Sequence, residues 1–253
     1  MENRLRATLA SFGAATLLLS GGVTLTAPPA AADTQLCVKY GSLRIQGGRY
    51  IVQNNNWGDD TTQCLSVSDN GFSVTKASHN RPANGAPGSY PSVYAGCHYG
   101  NCSTGSGLPR QVRSLGSLTS RVAYTTVQSG QWDAAYDVWY DPAPNPAGQN
   151  TGAEVMIWGN HRGAPQPVGG VIGTAQLAGA TWNVWSGNIG WNVISYVRTG
   201  GTDSLDVNLA DFTRDAVGRG KISDAWYLTS VQFGFEPWEG QTGLGVRSFS
   251  VSG

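Results

Sequence analysis

Glu154-Val155-Met156-Ile157-Trp158 alternates residue by residue between two kinds of side chain. As a β-strand it places Glu154, Met156 and Trp158 on one face and Val155 and Ile157 on the other, because successive side chains leave a pleat on opposite sides. Val231-Gln232-Phe233-Gly234-Phe235-Glu236 repeats the pattern, with Gln232, Gly234 and Glu236 opposed to Val231, Phe233 and Phe235. A third stretch sets Asp137, Trp139 and Asp141 against Tyr136, Val138 and Tyr140. The apolar faces belong between two sheets. The acids then share an outward surface with Trp, Met, Gln and Gly, an odd lining for plain solvent and a suitable one for sugar.

Away from these stretches no helical period dominates. Short alternating runs separated by Gly, Pro, Asn and Ser clusters point to an all-β sandwich or barrel. Strands are expected at 43–45, 50–54, 63–67, 72–77, 121–127, 133–140, 154–159, 176–177, 181–186, 191–198, 204–208, 227–236 and 243–251. The Asp137 and Glu154 strands flank a Pro/Gly/Asn-rich loop, 142–152, and should pair as a hairpin. One short helix is expected at 209–217, with Leu209 and Phe212 on a packing face and Gly218 or Gly220 ending it. The Gly-, Pro- and Ser-rich segment 84–107 reads as a long surface loop pinned by a disulfide.

The chain opens with Arg4 and Arg6, an apolar stretch over 7–25, and Ala30 and Ala32 at small-residue cleavage spacing. Residues 1–32 are therefore expected to be a secretory signal peptide, with one domain at 33–253 and a secreted, extracellular product. Without Glu2, Arg4 and Arg6 the chain has 14 basic and 15 acidic residues, a net charge of about −1. Nothing there recommends nucleic acid or an anionic membrane, which need clustered positive charge. A weakly charged protein with 9 Trp and 10 Tyr suits an uncharged hydroxyl-bearing ligand better. Four cysteines in an exported chain read as disulfides, and four permit three pairings. Cys37–Cys64 and Cys97–Cys102, each closing the shorter available loop, is the expected set. Zinc at Cys97 and Cys102 is the poorer reading, since their spacing is long for a zinc knuckle.

Cleaving a glycosidic bond takes a protonated carboxyl to protonate the leaving oxygen and an ionised carboxylate on the other side of the sugar. About 5–5.5 Å between them permits direct attack and retention, whereas about 6.5–9.5 Å admits a water and gives inversion. A single Glu on a sandwich strand is ordinarily a solvated surface group. Patterning alone therefore leaves catalysis and a non-catalytic polysaccharide-binding module both open.

Longer motifs add a resemblance. Glu154-Val155-Met156-Ile157-Trp158 and Gly234-Phe235-Glu236-Pro237-Trp238 resemble the two active-site motifs of glycoside hydrolase family 12 endoglucanases. Val52-Gln53-Asn54-Asn55-Asn56-Trp57-Gly58, Ser89-Tyr90-Pro91-Ser92-Val93, Gly96-Cys97-His98-Tyr99, Tyr136-Asp137-Val138-Trp139 and Gln166-Pro167-Val168-Gly169 extend it along the chain. The resemblance implies a β-jelly roll of two curved antiparallel sheets and endo-acting, retaining hydrolysis of β-1,4-glucan, with no cofactor or metal. It implies Glu154 as nucleophile, Glu236 as acid/base and Asp137 as the carboxyl that orients Glu154. Asn55, Trp57 and His98 match glucose-binding positions on the non-reducing side, and Met156 matches a residue lining the central site. Trp158, with Trp139 and Trp238, is a sugar contact or cleft wall. The expected partner is a β-glucan polysaccharide, met by a monomer. Xyloglucan- or xylan-directed hydrolysis is the alternative within enzymes. The stretch Gly187-Asn188-Ile189-Gly190-Trp191 departs from the family pattern by an extra Trp near a turn, as do the small residues Gly200-Gly201-Thr202.

Overall fold

A computed structural model describes residues 33–253; the expected signal peptide lies outside the described residues. Strands β1 (Thr34–Leu36), β2 (Ser42–Ile45), β3 (Tyr50–Gln53), β4 (Cys64–Ser68), β5 (Gly71–Lys76) and β6 (His79–Asn80) come first. They are followed by β7 (Ser92–His98), β8 (Asn101–Cys102), β9 (Arg110–Gln111), β10 (Thr119–Thr125), β11 (Gln131–Asp141) and β12 (Ala153–Arg162). Then come β13 (Gly170–Leu177), β14 (Ala180–Asn188), β15 (Asn192–Arg198), β16 (Ser204–Asn208), helix α1 (Leu209–Gly218), β17 (Tyr227–Gly240) and β18 (Gly245–Ser252). A smaller sheet runs β1-β4-β5-β18-β10-β16, and a larger one runs β13-β14-β15-β12-β11-β17-β7-β3-β2.

The alternation read from the sequence decides which faces meet. Val155, Ile157, Val231, Phe233, Phe235, Tyr136, Val138 and Tyr140 all lie in the core between the sheets. A smaller apolar cluster, Ala135, Met156, Trp158, Val193, Val197 and Trp238, covers the other face of the larger sheet. Register shifts at Gln131/Trp132 and Trp139/Tyr140 of β11 mark bulges against β17, which bend a strand and strengthen its twist. The smaller sheet does not cover the whole inner face of the larger one, and α1 follows directly on its edge strand β16. Asn208 caps the helix by accepting from the Ala210 amide. Phe212 then packs edge-on against Trp182 of β14 and Tyr196 of β15, at 5.3 and 5.1 Å between ring centroids.

Two expectations need correction. Segment 84–107 is not all surface loop: its middle forms β7, buried between β17 and β3. Val93 and Ala95 do face the core, but a run of only four residues between Pro91 and Gly96 disguises the strand. Gly96 has a reason of its own, since at φ +98° a Cβ there would meet the Thr229 carbonyl at 2.2 Å. The second correction concerns strand direction. β12 and β15 run parallel, because β13 and β14 lie outside β15 in the sheet, so the chain must cross over after β12. That crossover, residues 163–169, passes along the apolar cluster, where Val168 packs. The 142–152 hairpin is as expected, with Trp139 opposite Glu154 and Asp137 opposite Met156.

Candidate active site

The outward face of the larger sheet carries a cleft of about 1380 Å³. It crosses the strands rather than following them. Ser42 on β2, Gln53 on β3, His98 on β7, Gln232 on β17, Asp137 on β11, Glu154 on β12 and Val193 on β15 all line it. Seven neighbouring strands spaced by about 4.8 Å make a trough on the order of 30 Å across, long enough for several sugar rings. Asn55, Trp57, Met156, Trp158 and Glu236 line the same cleft, so the structure gathers every residue singled out for catalysis or sugar binding.

The floor holds carboxyls in two pairs. Asp137 bonds to Glu154, and Asp133, opposite Glu236 in the β11–β17 register, bonds to Glu236. Asp133 also accepts from the Glu236 amide through Oδ1 at 3.3 Å. Burial is the largest influence on all four, and it favours the neutral acid. The pairings then separate them. Glu154 is pushed up only to about 7, because the Trp191 indole donates to its Oε2 at 2.8 Å and Asp137 donates as well. Asp137 is held well above the usual carboxylate range by burial and by the charges of Glu154 and Glu236, so it stays protonated as the donor. Glu236 is likewise held high by burial, by the Asp133 charge and hydrogen bond, and by the Glu154 charge. Asp133 is itself held well above the usual carboxylate range by burial and by the Asp137 and Glu154 charges, and its hydrogen bonds with Glu236 offset only part of that. The floor therefore presents one carboxylate stabilised by donors and one carboxylic acid kept protonated by burial and by the carboxyls beside it.

A buried amide chain sets His98. Gln53 Nε2 donates to Gln232 Oε1 at 2.9 Å, and Gln232 Nε2 donates to His98 Nδ1 at 3.1 Å. Burial lowers the His98 pKa to about 4, so the ring is neutral. With Nδ1 accepting, the proton sits on Nε2, free to donate to a hydroxyl. Trp57 is 44% exposed, a flat apolar ring at the cleft edge, whereas Trp158 is buried at 2%. Trp238 is also buried and spends its Nε1–H on the Gly85 carbonyl at 2.7 Å, so it serves as wall.

These side chains and their order along the chain match a family model, Glycosyl hydrolase family 12, over residues 48–252. The chain belongs to glycosyl hydrolase family 12. Among similar proteins, Endoglucanase S of Pectobacterium parmentieri is 32% identical over 92% of this chain and 90% of its own length. The Xyloglucan-specific endo-beta-1,4-glucanase A of Emericella nidulans is 35% identical over 81% of this chain and 86% of its own. The solved structure of endoglucanase cel12A from Rhodothermus marinus superposes with a TM-score of 0.84 at 43% identity, covering 87% of this chain and 98% of that one. The jelly roll expected for family 12 is therefore the fold.

Sequence reading missed Asp133 and took Trp191 for a peripheral departure. Asp133 sits four residues before Asp137 on the same strand face, a signal available to any count that begins one pleat earlier. Trp191 comes from the turn ahead of β15, and its contact with Glu154 crosses 37 residues of sequence with no local pattern to announce it.

Proposed function

We propose that this family 12 endoglucanase cuts internal β-1,4-glucosidic bonds by double displacement, with Glu154 as nucleophile and Glu236 as acid/base. A β-glucan lies across the strands with a ring stacked on Trp57 and hydroxyls near Asn55 and His98, while Met156 and Trp158 line the central part of the cleft. A Glu154 oxygen attacks the anomeric carbon as the bond to the leaving oxygen breaks. The bonding pair stays with that oxygen, which takes the proton of Glu236. Glu236, now a base, removes a proton from water, the water oxygen attacks the same carbon, and Glu154 departs as carboxylate. Two inversions leave the β configuration. Asp137 orients Glu154, and Asp133 holds the proton-bearing Glu236.

The observation that carries this reading is the unequal treatment of two buried cleft glutamates, one supplied with donors that limit its upward shift and the other with neighbouring carboxyls that add to it, since such separation assigns base and acid. A trough with strands on both sides of the catalytic pair suits an internal cut. The second reading, xyloglucan as preferred substrate, is favoured by the name of the Emericella nidulans relative. Assays of cellulose derivatives, barley glucan, xyloglucan and xylan side by side rank them, and predominant xylan hydrolysis defeats the assignment. Glu154→Gln should abolish turnover while leaving glucan binding largely intact; equal turnover in that variant sinks the role. We read residues 1–32 as an export leader and 33–253 as the catalytic domain, working extracellularly as a monomer. N-terminal sequencing of protein recovered from the medium should find Asp33 or a residue within a few positions of it.

A further inference from the structure

Trp191 enters the cleft from a turn that the family motifs do not explain. The turn is braced from within: Gly190 N donates to Asn188 Oδ1 at 3.1 Å, Ile189 N to the Trp191 carbonyl at 3.2 Å, and Asn188 Nδ2 to Asn192 Oδ1 at 3.3 Å. Gly190 takes φ +106°, a conformation that only glycine adopts without strain. Just beyond, Asn192 N is tied to the Gly152 carbonyl two residues before Glu154, and Asn192 Nδ2 to the Lys221 carbonyl. The indole itself lies 5.6 Å from Trp139, tilted by 55°, and packs on the cleft-face apolar cluster. Since Trp139 is the register partner of Glu154, ring and carboxylate are fixed to the same two strands. The Nε1–H at 2.8 Å from Glu154 Oε2 is thus a donor fixed before substrate arrives, of the preorganised kind that counts most in a dry site.

We infer that Trp191 is a positioning residue for the nucleophile, holding one Glu154 oxygen with its indole N–H so that the carboxylate is aimed at the anomeric carbon. The inference rests on Glu154 being the nucleophile. Its stated chemistry is simple. The donor binds the carboxylate before attack, weakens as the oxygen loses charge in the glycosyl ester, and strengthens again when Glu154 leaves. The remaining ionisable groups facing Glu154 are Asp137 and Asp133 on β11, Glu236 on β17 and Tyr90 ahead of β7, with neutral His98 nearby on β7. None of these is an NH donor to the carboxylate, so removing the indole N–H removes a contact that nothing else replaces.

Trp191→Phe keeps an aromatic ring and deletes the donor. We expect kcat on barley glucan to fall about ten- to hundredfold, the usual worth of a hydrogen bond to a charged group, with KM within about twofold. The acid limb of the kcat/KM profile should move to higher pH. A direct readout is ¹³C NMR titration of Glu-labelled protein, in which the Glu154 carboxyl midpoint should rise from about 7. Trp191→His, which can present an N–H, should recover part of both effects and carries the test if the Phe variant unfolds. Unchanged kcat, limb and midpoint overturn the inference, as does a raised KM at unchanged kcat, which would make the ring a sugar platform. Wild-type protein inactive on every β-glucan would defeat the functional reading instead, and the NMR midpoint would still decide on Trp191.

Discussion

Glu154 is buried to 8% exposure yet must be ionised to attack, and its donors are what reconcile the two. The ascending limb of kcat/KM should therefore track the ionisation of Glu154 and the descending limb the loss of the Glu236 proton. Glu236→Gln removes the proton that the leaving oxygen needs, and the cost in kcat should be on the order of 10²–10⁴-fold. A substrate with a good leaving group should suffer much less in the first step. Asp133→Asn tests the pairing on the other side of the cleft. With no second carboxyl to share the negative charge when the pair ionises, the Glu236 pKa should fall and the descending limb should move to lower pH; a limb that stays put would refute the pairing. These residues were unequally legible. Glu154, Glu236 and Asp137 declare themselves by alternation and motif, whereas Asp133 and Trp191 matter only through register and a turn that folding brings together.

At the scale of the element, strands announce themselves where large apolar residues alternate with polar ones. β11, β12 and β17 do this, and so does α1, with Asn208 before it and Leu209 and Phe212 on its buried face. β7 escaped because Ser92, Ala95 and Gly96 are small and its pattern is set by the close approach of β17 rather than by hydrophobic mass. The parallel β12–β15 pair escaped for a related reason, since strand order belongs to the path of the crossover and not to any one strand. The two faces of β17 separate stability from chemistry. Phe233, fully buried and 4.8 and 5.0 Å from the rings of Tyr124 and Tyr136, sits three residues from Glu236 but points into the core. Phe233→Ala should cost about 3–5 kcal/mol in denaturant unfolding. A cost below about 1 kcal/mol would contradict the packing described for that face.

Over the whole molecule, the price of the cleft is a row of buried acids, and it sets how stability depends on pH. Glu154 titrates near 7 when folded and near 4.5 otherwise, so between those values the folded state binds the extra proton and stability should decline as pH rises. His98, at about 4 when folded and 6.5 otherwise, acts oppositely over its own window, because there the unfolded state holds the proton. Comparing wild type with Glu154→Gln isolates the first contribution: the variant should lose less stability between pH 4.5 and 7. Two disulfides counter the cost, Cys37–Cys64 spanning 27 residues and Cys97–Cys102 spanning 5. On loop size their removal should cost about 3.5 and about 2 kcal/mol respectively, an order that thermal unfolding of the two double-serine variants can check. All of this serves two glutamates acting in turn on one anomeric carbon. Proton NMR of a β-glucan digest, followed from the first minutes, tests that most directly. Newly released reducing ends should appear first as the β-anomer and only later mutarotate; an initial α-anomer, or no new reducing ends at all, would contradict the account.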